Sequence, residues 1–340
     1  MAHLGLTGMT IRALEDLLGS RTRGLAAAKW LYGARPWTSV VPQTLPGVSR
    51  ACWDSVRARC SLPDARVVTS AVAADGTTKL LITLAGSAVE TVLIPARGRS
   101  TVCVSSQVGC SRSCKFCATA TLGFGRNLRA DEIVAQYLIA RTLAPADAPA
   151  SNVVFMGMGE PMDNVDEVLV AVEVLTQAPA PQLGHAQVTV STSGVVPGMK
   201  RFLAESRASL ALSLNATTDA QRTEMMPQNK IWAIEELLGL LRDDRRVHPR
   251  RVHFIEYVMF DAVNDSDADA ARLVTLLAGI HARVNLIPHN PIPGSPFAAS
   301  PADRIDRFHQ LISAAGVRCI VRWPRGQDIA AACGQLACTS

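Results

Sequence analysis

Residues 109–118 read Gly-Cys-Ser-Arg-Ser-Cys-Lys-Phe-Cys-Ala, and they place Cys110, Cys114 and Cys117 in a CxxxCxxC pattern. Cysteine thiolate is the ligand that cluster irons prefer, so three thiolates this close in sequence can hold an iron–sulfur cluster. A four-iron cluster needs four ligands, and this loop offers three. The iron left open would bind another molecule, and the usual guest at this spacing is S-adenosylmethionine. The pattern therefore predicts a [4Fe–4S] cluster with S-adenosylmethionine bound to it.

Two other uses of these three cysteines are open at this point, a zinc site and a set of structural thiols. Zinc sites usually pair CxxC with a second Cys or His pair. No histidine lies near this loop in the sequence. The chain has nine cysteines, and in a cytosolic protein that number favours metal or redox chemistry over a disulfide framework.

The composition predicts a chain that buries a substantial core. Of its 340 residues, 48% are hydrophobic and 19% are charged, which suits one large domain and a smaller one. Arg12, Glu15 and Asp16 interrupt the early apolar residues, unlike the apolar run of a signal peptide. No uncharged apolar stretch approaches the ~20 residues that a membrane span needs. We therefore expect a soluble, cytoplasmic protein with no membrane partner.

The chain is mildly basic. It has 34 Lys and Arg against 29 Asp and Glu, a formal net charge of +5. This excess permits an RNA partner but does not require one. Arginines concentrate between residues 242 and 251, although a solvated surface is the commoner role of such a run.

The spacing of apolar residues predicts two regions before the main domain. In residues 1–60 apolar residues recur at helical spacing, as at Ile11, Leu14 and Leu18, which indicates an N-terminal helical domain. Residues 61–95 indicate a small β-meander that links this domain to the rest. Its predicted strands are Val67–Ala71, Lys79–Leu84 and Val89–Ile94.

From residue 96 to residue 332, predicted strands and helices alternate. The strands are Thr101–Ser105, Val153–Met156, Gln187–Val190, Leu210–Leu214, His253–Val258 and Val284–Ile287. Helices such as Ala130–Arg141 and Asp166–Leu175 lie between them. Six strand–helix units in this length predict an α/β fold, with a parallel sheet curved into an incomplete (βα)6 barrel. Residues 333–340 form a short C-terminal extension.

Polar or glycine residues follow five of the six predicted strands. Barrel enzymes place their chemistry at these carboxyl ends. The residues are the cysteine loop, then Gly159, Glu160 and Pro161, then residues 191–194, then Ser213 and Asn215, and finally Asn290. A carboxylate can take an ammonium group, glycine lets the backbone approach a ligand, and serine and asparagine can bond ribose hydroxyls. Strand-to-helix turns are often polar and glycine-rich, but agreement at five ends favours a ligand that is part amino acid and part nucleoside.

Three further residues stand out, and each has two interpretations. Cys103 lies within the first barrel strand, where a small buried hydrophobe is the commoner role. Cys333 follows a polar turn and can lie on a mobile segment. Glu90 alternates with Val92 and Ile94 and so shares their face of a strand. A carboxylate on an apolar face is costly unless it is paired or useful, so Glu90 is either a general base or a salt-bridged carboxylate.

Six segments together resemble the RlmN/Cfr family of radical SAM RNA methyltransferases. They are CVSSQVGCSRSCKFCATATLGFGRNL at 103–128, NVVFMGMGEPMDN at 152–164, VTVSTSGVVPG at 188–198, LALSLNATTD at 210–219, NLIPHNPIPG at 285–294 and IAAACGQLA at 329–337. The resemblance runs from about residue 65 to the end. CxxxCxxC alone would indicate only the superfamily, whereas the six segments together are specific to the family.

The resemblance implies a role for each matching residue. Cys110, Cys114 and Cys117 correspond to the [4Fe–4S] ligands, Cys333 to the cysteine that is itself methylated, Cys103 to its later disulfide partner and Glu90 to the proton acceptor. The S-adenosylmethionine contacts correspond to Gly159, Glu160, Ser191, Ser213, Leu214, Asn215 and Asn290. Asn215 stands where many members have histidine, and Trp323-Pro324 stands where smaller or basic residues are frequent.

The resemblance also implies a two-stage reaction that uses two S-adenosylmethionine molecules per turnover. The first methylates Cys333, and the second is cleaved to a 5′-deoxyadenosyl radical that takes a hydrogen from this methyl group. The resulting carbon radical adds to an adenine, Cys103 attacks the sulfur of Cys333, and a proton passes to Glu90. Adenine C2 is electrophilic, so a carbon radical can attack it where a methyl cation equivalent would not.

The substrates implied by the RlmN branch are C2 of adenine 2503 in free or immature 23S rRNA and C2 of adenine 37 in tRNAs. The Cfr branch methylates C8 of the same rRNA adenine and shares every segment quoted above. A third hypothesis is a non-catalytic RNA-binding protein with a structural cluster. The presence of both Cys103 and Cys333 argues against it, because a structural protein has no need of a redox pair. We expect a monomer served by a low-potential electron donor such as flavodoxin.

Overall fold

The structure is a computed structural model that describes residues 4–33, 35–178 and 181–338. Its strands are β1 Leu4–Gly5, β2 Cys60–Ser61, β3 Ala65–Val72, β4 Thr78–Leu84, β5 Ser87–Ala96, β6 Arg99–Cys103, β7 Gln107–Gly109, β8 Phe124–Asn127, β9 Ala150–Phe155, β10 Val188–Thr192, β11 Ser209–Ser213, β12 His253–Met259, β13 Ala282–Pro288 and β14 Cys319–Val321. Its α-helices are α1 Ile11–Leu18, α2 Arg21–Tyr32, α3 Arg50–Arg57, α4 Ala130–Arg141, α5 Val165–Thr176, α6 Val196–Glu205, α7 Asp219–Met225, α8 Ile234–Val247, α9 Asp267–Leu276 and α10 Ala302–Ala314.

Ten strands form one mixed sheet in the order β14-β13-β12-β11-β10-β9-β6-β5-β4-β3. The seven strands from β6 to β14 in this order pair in parallel. Helices connect them, as parallel pairing requires. The mixed α/β architecture is therefore confirmed, and each of the six predicted parallel strands is present. The seventh, β14, was not predicted because three residues are too short to show a pattern.

The predicted β-meander is present and continues into the parallel strands. β3, β4 and β5 pair antiparallel, and β5 pairs antiparallel with β6. Ala85 and Gly86 join β4 to β5 with φ of 48° and 82°, the left-handed conformation that a two-residue hairpin turn demands. β3, β4 and β5 thus share one sheet with β6, the strand that precedes the cysteine loop.

The N-terminal helices pack against the helical layer through apolar and polar contacts. The side chain of Thr10 caps α1 by accepting a hydrogen bond from the Ala13 amide, a favourable N-cap. Ile11, Leu14 and Leu18 are buried, as their spacing predicts. The Thr7 hydroxyl donates to the Asp131 carbonyl at 3.0 Å and so ties this region to α4. Among the described helices, none has the length and apolarity to cross a membrane.

Helix α4 is buried on nearly every side, from Ala130 to Ala140. It lies between the N-terminal segment and the sheet, so it has no solvated face to present. Gln136 in this helix binds the amide and the carbonyl of Ser105, at 2.8 and 3.0 Å. These bonds satisfy buried main-chain groups just after β6 and fix where the chain turns toward the cysteine loop.

Candidate active site

A cleft lies at the carboxyl ends of the parallel strands, where the sequence predicts the chemistry. Among the predicted residues, those that line it are Cys110, Cys114, Cys117, Gly159, Glu160, Ser191, Ser213, Asn215 and Cys333. They come from four strand ends and the C-terminal segment. The structure therefore brings together the cysteine motif and most of the predicted ligand contacts.

The cysteine loop is shaped by a short β-ribbon formed by β7 and β8. Gly109 has φ of 69°, and a Cβ there would collide with the carbonyl of Gly123, so this position requires glycine. The Cys110 amide donates to the same carbonyl at 2.8 Å, and the Cys117 amide donates to Cys114 at 3.2 Å. These bonds turn the loop so that its three cysteines face one cleft.

The three cysteines form a donor set that suits an iron–sulfur cluster. Cys110, Cys114 and Cys117 line one cleft, and thiolates are the ligands that cluster irons prefer. Burial raises the pKa of Cys110 to about 12 and also raises that of Cys114, so cluster binding must displace protons. The residues present therefore fit a cluster.

Glu160 is a buried carboxylate held by three donors. The Met162 amide donates to Oε1 at 3.0 Å, and the Ser193 amide and hydroxyl donate to Oε2 at 2.7 and 2.6 Å. Burial raises the pKa of Glu160, while these donors oppose the rise. Ser193 lies within the polar residues 191–194, but the sequence did not distinguish it as a site residue. The carboxylate lines the cleft, where it can accept hydrogen bonds from a cationic group.

Gly159 brings the main chain close to its neighbour strand. Its φ is 98°, and a Cβ there would lie 2.5 Å from the Cβ of Gln107. The Gln107 side chain accepts a hydrogen bond from the Glu160 amide at 2.8 Å. The glycine is thus required for the packing that presents Glu160.

The end of β11 places two of its predicted residues in the cleft and one outside it. Ser213 and Asn215 line the cleft, whereas the Leu214 side chain is fully buried in the core. Asn215 has φ of 58°, a region where asparagine is tolerated. Its side-chain oxygen accepts from the Val258 amide at 2.9 Å. The Leu214 main chain is also hydrogen-bonded, since its amide donates to the main-chain carbonyl of Glu256 at 3.0 Å.

Arg222 was missed from the sequence, although it holds two strand ends together. Its guanidinium is fully buried and donates to the carbonyls of Leu214, Ser193 and Ser213 and to the side chain of Asn229. Burial lowers its pKa to about 10. Nothing in α7 marks this arginine in the sequence, because charged residues on a helix are usually exposed.

Replacing Arg222 by leucine is expected to lower the free energy of unfolding by about 2–4 kcal/mol, because several buried carbonyls would lose their donor. Urea unfolding followed by circular dichroism measures it. Arg201→Leu is the matched control, since Arg201 pairs with Asp166 and Glu205 on the surface and should change stability far less. Equal losses in the two variants would contradict this role of Arg222.

Cys333 lies between the cleft and a second cavity. It is accessible to solvent but stands inside the concave surface, lining both the cleft and the cavity that contains Cys103. Both cysteines are free thiols. Burial raises the pKa of each of them, so both are protonated thiols at neutral pH until a base or a reaction partner acts.

Asn290 binds the Cys333 segment rather than lining the cleft. Its side-chain amide donates to the Cys333 carbonyl at 3.0 Å, and its oxygen accepts from the Gln327 side chain at 3.0 Å. The Ala118 amide, next to the cysteine motif, donates to Gly334 at 2.7 Å. The position of Cys333 is therefore fixed from both sides.

Glu90 is buried beneath the C-terminal residues and outside both cavities. Lys79 pairs with its Oε1 at 3.0 Å, and the Ala337 amide donates to its Oε2 at 2.8 Å. In this arrangement it is the salt-bridged carboxylate of the second interpretation. A carboxylate that is paired on one oxygen and covered on the other gains access to a ligand only when Ala337 moves away.

Glu256, in the middle of β12, is a second residue that the sequence did not reveal. It is buried and lines both the cleft and the second cavity, as Cys333 does. The Asn285 side chain donates to its Oε1 at 2.7 Å, and burial raises its pKa. The sequence did contain a signal for Glu256, since a charged residue within a strand predicted to be buried is costly unless it is paired or useful.

Comparisons with known proteins agree with this geometry. The model of the Radical SAM superfamily matches residues 104–274. The chain is 47% identical over 288 residues to the dual-specificity RNA methyltransferase RlmN of Paracoccus denitrificans, covering 81% of this chain and 73% of that protein. It is 42% identical to the protein of the same name from Roseobacter denitrificans, covering 98% and 89%. A solved radical SAM methyltransferase from Sphaerobacter thermophilus superposes with a TM-score of 0.88 at 38% identity, covering 98% and 99%.

Proposed function

Because the chain belongs to the RlmN family of radical SAM RNA methyltransferases, we propose that it methylates C2 of adenine 2503 in 23S rRNA and C2 of adenine 37 in tRNAs. The observation that carries this proposal is the position of Cys333, which borders both the cleft of the cluster cysteines and the cavity of Cys103. A cysteine that receives a methyl group from the cleft and delivers it to a base in the cavity must border both of them.

The family implies a [4Fe–4S] cluster and S-adenosylmethionine, which supply the methyl group and the radical chemistry. In this proposal Cys110, Cys114 and Cys117 hold the cluster. Glu160 binds the ammonium group of S-adenosylmethionine, and its three donors fix the carboxylate for that task. The polar groups of Ser191, Ser213 and Asn215 face the same cleft, while the side chain of Leu214 supports the site from the core.

Two cysteines then act in turn, with two S-adenosylmethionine molecules consumed per turnover. Cys333 accepts the first methyl group and carries it to the adenine carbon. Glu90 accepts the proton that the ring carbon loses, once Ala337 has moved off its carboxylate, and the one electron that the adduct gives up would return to the cluster. The Cys103 thiolate then attacks the Cys333 sulfur and forms a disulfide with it. The electron pair of the broken sulfur–carbon bond stays on the carbon, which takes up a proton and becomes the methyl group on RNA. Asn290 positions the carrier through the Cys333 carbonyl.

We further propose that six of the seven parallel strands, β6 and β9–β13, form an incomplete (βα)6 barrel. In this proposal residues 1–60 are a helical accessory domain, 61–95 a linking region, 96–332 the core and 333–340 the tail. Residues 339–340 of that tail lie outside the described residues. The partners in this proposal are free or immature 23S rRNA, tRNA and a low-potential donor such as flavodoxin. The protein works as a monomer in the cytoplasm.

Nucleoside mass spectrometry tests the proposed reaction. The protein, reconstituted anaerobically with iron and sulfide, is incubated with S-adenosylmethionine, a reductant and unmodified 23S rRNA or tRNA. The expected product from both RNAs is 2-methyladenosine. 8-Methyladenosine would replace the proposed position with that of the Cfr branch. Bound RNA with an intact cluster and neither product would overturn the proposal.

Replacing Glu90 by glutamine is expected to slow methyl transfer to RNA by about 100-fold or more, because the amide cannot accept the proton. The change preserves the shape of the side chain, so RNA binding should stay close to that of the unchanged protein. Single-turnover product formation and RNA filter binding measure the two quantities.

Lys79→Gln separates a proton acceptor from a structural ion pair. This variant breaks the same salt bridge but keeps the Glu90 carboxylate. If Glu90 is the acceptor, Glu90→Gln should lose far more rate than Lys79→Gln. Equal losses in both variants, or an unchanged rate in Glu90→Gln, would remove Glu90 from the reaction.

A further inference from the structure

The second cavity, which Cys103 and Cys333 share, opens beside an exposed tryptophan. Its volume is about 380 Å³, within the range of pockets that hold small molecules. Trp323 lines this cavity and is 54% exposed. An indole so exposed at the edge of a cavity leaves a large flat apolar surface in water, which suits a ligand with a flat face.

The backbone on both sides of Trp323 is anchored. On one side, the Arg322 amide donates to the Leu286 carbonyl at 2.8 Å. On the other, Asp75 accepts from the Arg325 side chain at 2.6 Å and from the Gly326 amide at 3.2 Å. Pro324 fixes its own φ and restricts the residue before it. The indole is therefore carried on a short, constrained segment, which reduces the entropy lost when a ligand binds.

The charge around the indole suits a nucleic acid. Arg322 is exposed and lines the same cavity, so its guanidinium stands where it can meet a phosphate. Inside the cavity the polar groups are few, with the Glu256 carboxyl and the Asn290 amide among apolar side chains. An apolar chamber with an aromatic side and a positive charge at its opening matches an unstacked base on an RNA strand.

We propose that this cavity receives the target adenine and that Trp323 stacks on it. The inference rests on the proposed function, because the base must reach the carbon carried by Cys333. The cleft on the other side of Cys333 is assigned to the cluster and S-adenosylmethionine, so the base enters from the Trp323 side. A stacked indole holds any purine by its flat face and leaves the ring edge turned to Cys333.

Trp323→Ala is expected to lower kcat/KM for RNA methylation by about tenfold to a hundredfold, the effect of losing one base–aromatic stack. Trp323→Phe should restore most of it, because phenylalanine also stacks. Methylation of Cys333 in the absence of RNA, read as a mass increase of one methyl group, should be equal in both variants and the unchanged protein. Ile320→Ala is the matched control, since Ile320 is exposed on the same segment and lies outside the cavity.

Tryptophan fluorescence gives a readout that needs no loaded enzyme. Titration with a tRNA anticodon stem-loop should quench the emission of the unchanged protein, and Trp323→Phe should lose that part of the quenching. Equal quenching in the two proteins, or a kcat/KM for Trp323→Ala equal to that of Ile320→Ala, would overturn the stacking role. If the unchanged protein made no methylated adenosine at all, the proposed function would fail, whereas the quenching comparison would still decide whether a base stacks on Trp323.

Discussion

Replacing Cys333 by alanine is expected to abolish RNA methylation, with product falling at least about a thousandfold, because in the proposed reaction the change removes the atom that carries the methyl group. Hydroxyl groups near the cleft could not take over this task, since the proposed carrier leaves the carbon by forming a disulfide with Cys103. The fold should be kept, because Cys333 is accessible to solvent and Asn290 binds only its carbonyl.

The measurement is nucleoside mass spectrometry of RNA after incubation, with iron content determined on the same sample. Cys52→Ala serves as the control, since Cys52 is a half-buried thiol in α3. It should methylate RNA at the normal rate. Methylated adenosine from Cys333→Ala at a level near that of Cys52→Ala would show that another residue carries the methyl group.

Replacing Cys114 by alanine should remove the cluster and, with it, all turnover. Cys114 is the middle one of the three proposed ligands. Main-chain hydrogen bonds hold the loop around it, such as the bond that the Cys114 amide donates to the Arg112 carbonyl at 2.8 Å. Losing its sulfur therefore costs a ligand without removing the bonds that shape the loop. Iron analysis and visible absorption after anaerobic reconstitution should show little bound cluster, and cleavage of S-adenosylmethionine should fall below detection.

Circular dichroism and RNA binding distinguish this loss from unfolding, since both should match those of Cys52→Ala. Metal analysis of the unchanged protein adds a second check. About four irons per chain would agree with the cluster. One zinc per chain, lost in Cys114→Ala, would contradict it and favour a zinc site.

Local pattern was sufficient to predict six of the seven parallel strands and several residues that line the cleft. Residues such as Val188 and Leu210 lie in short apolar runs, and each run ends in glycine or small polar residues. Because parallel strands bring their carboxyl ends to one edge, this order along the chain was enough to gather Glu160, Ser213 and Asn215. Helix α4 begins and ends where its pattern predicts.

Contacts between distant residues could not be predicted from local pattern. Arg222 is buried only because Ser193 and Leu214, 29 and 8 residues earlier in the chain, present their carbonyls to it in the folded structure. The state of Glu90 depends on Lys79 and on the Ala337 amide, which lies at the far end of the chain. The alternation of residues along β5 predicted which face of the strand the Glu90 side chain lies on. It could not predict the residues that bind the carboxylate.

The contacts of the Cys333 segment reach back across most of the polypeptide. The Ala337 amide meets Glu90, 247 residues earlier, and Arg325 meets Asp75, 250 residues earlier. Both partners lie in the antiparallel part of the sheet, Asp75 between β3 and β4 and Glu90 in β5. Local unfolding of this part of the sheet would therefore release the segment that carries Cys333, although the cysteine loop follows a different strand.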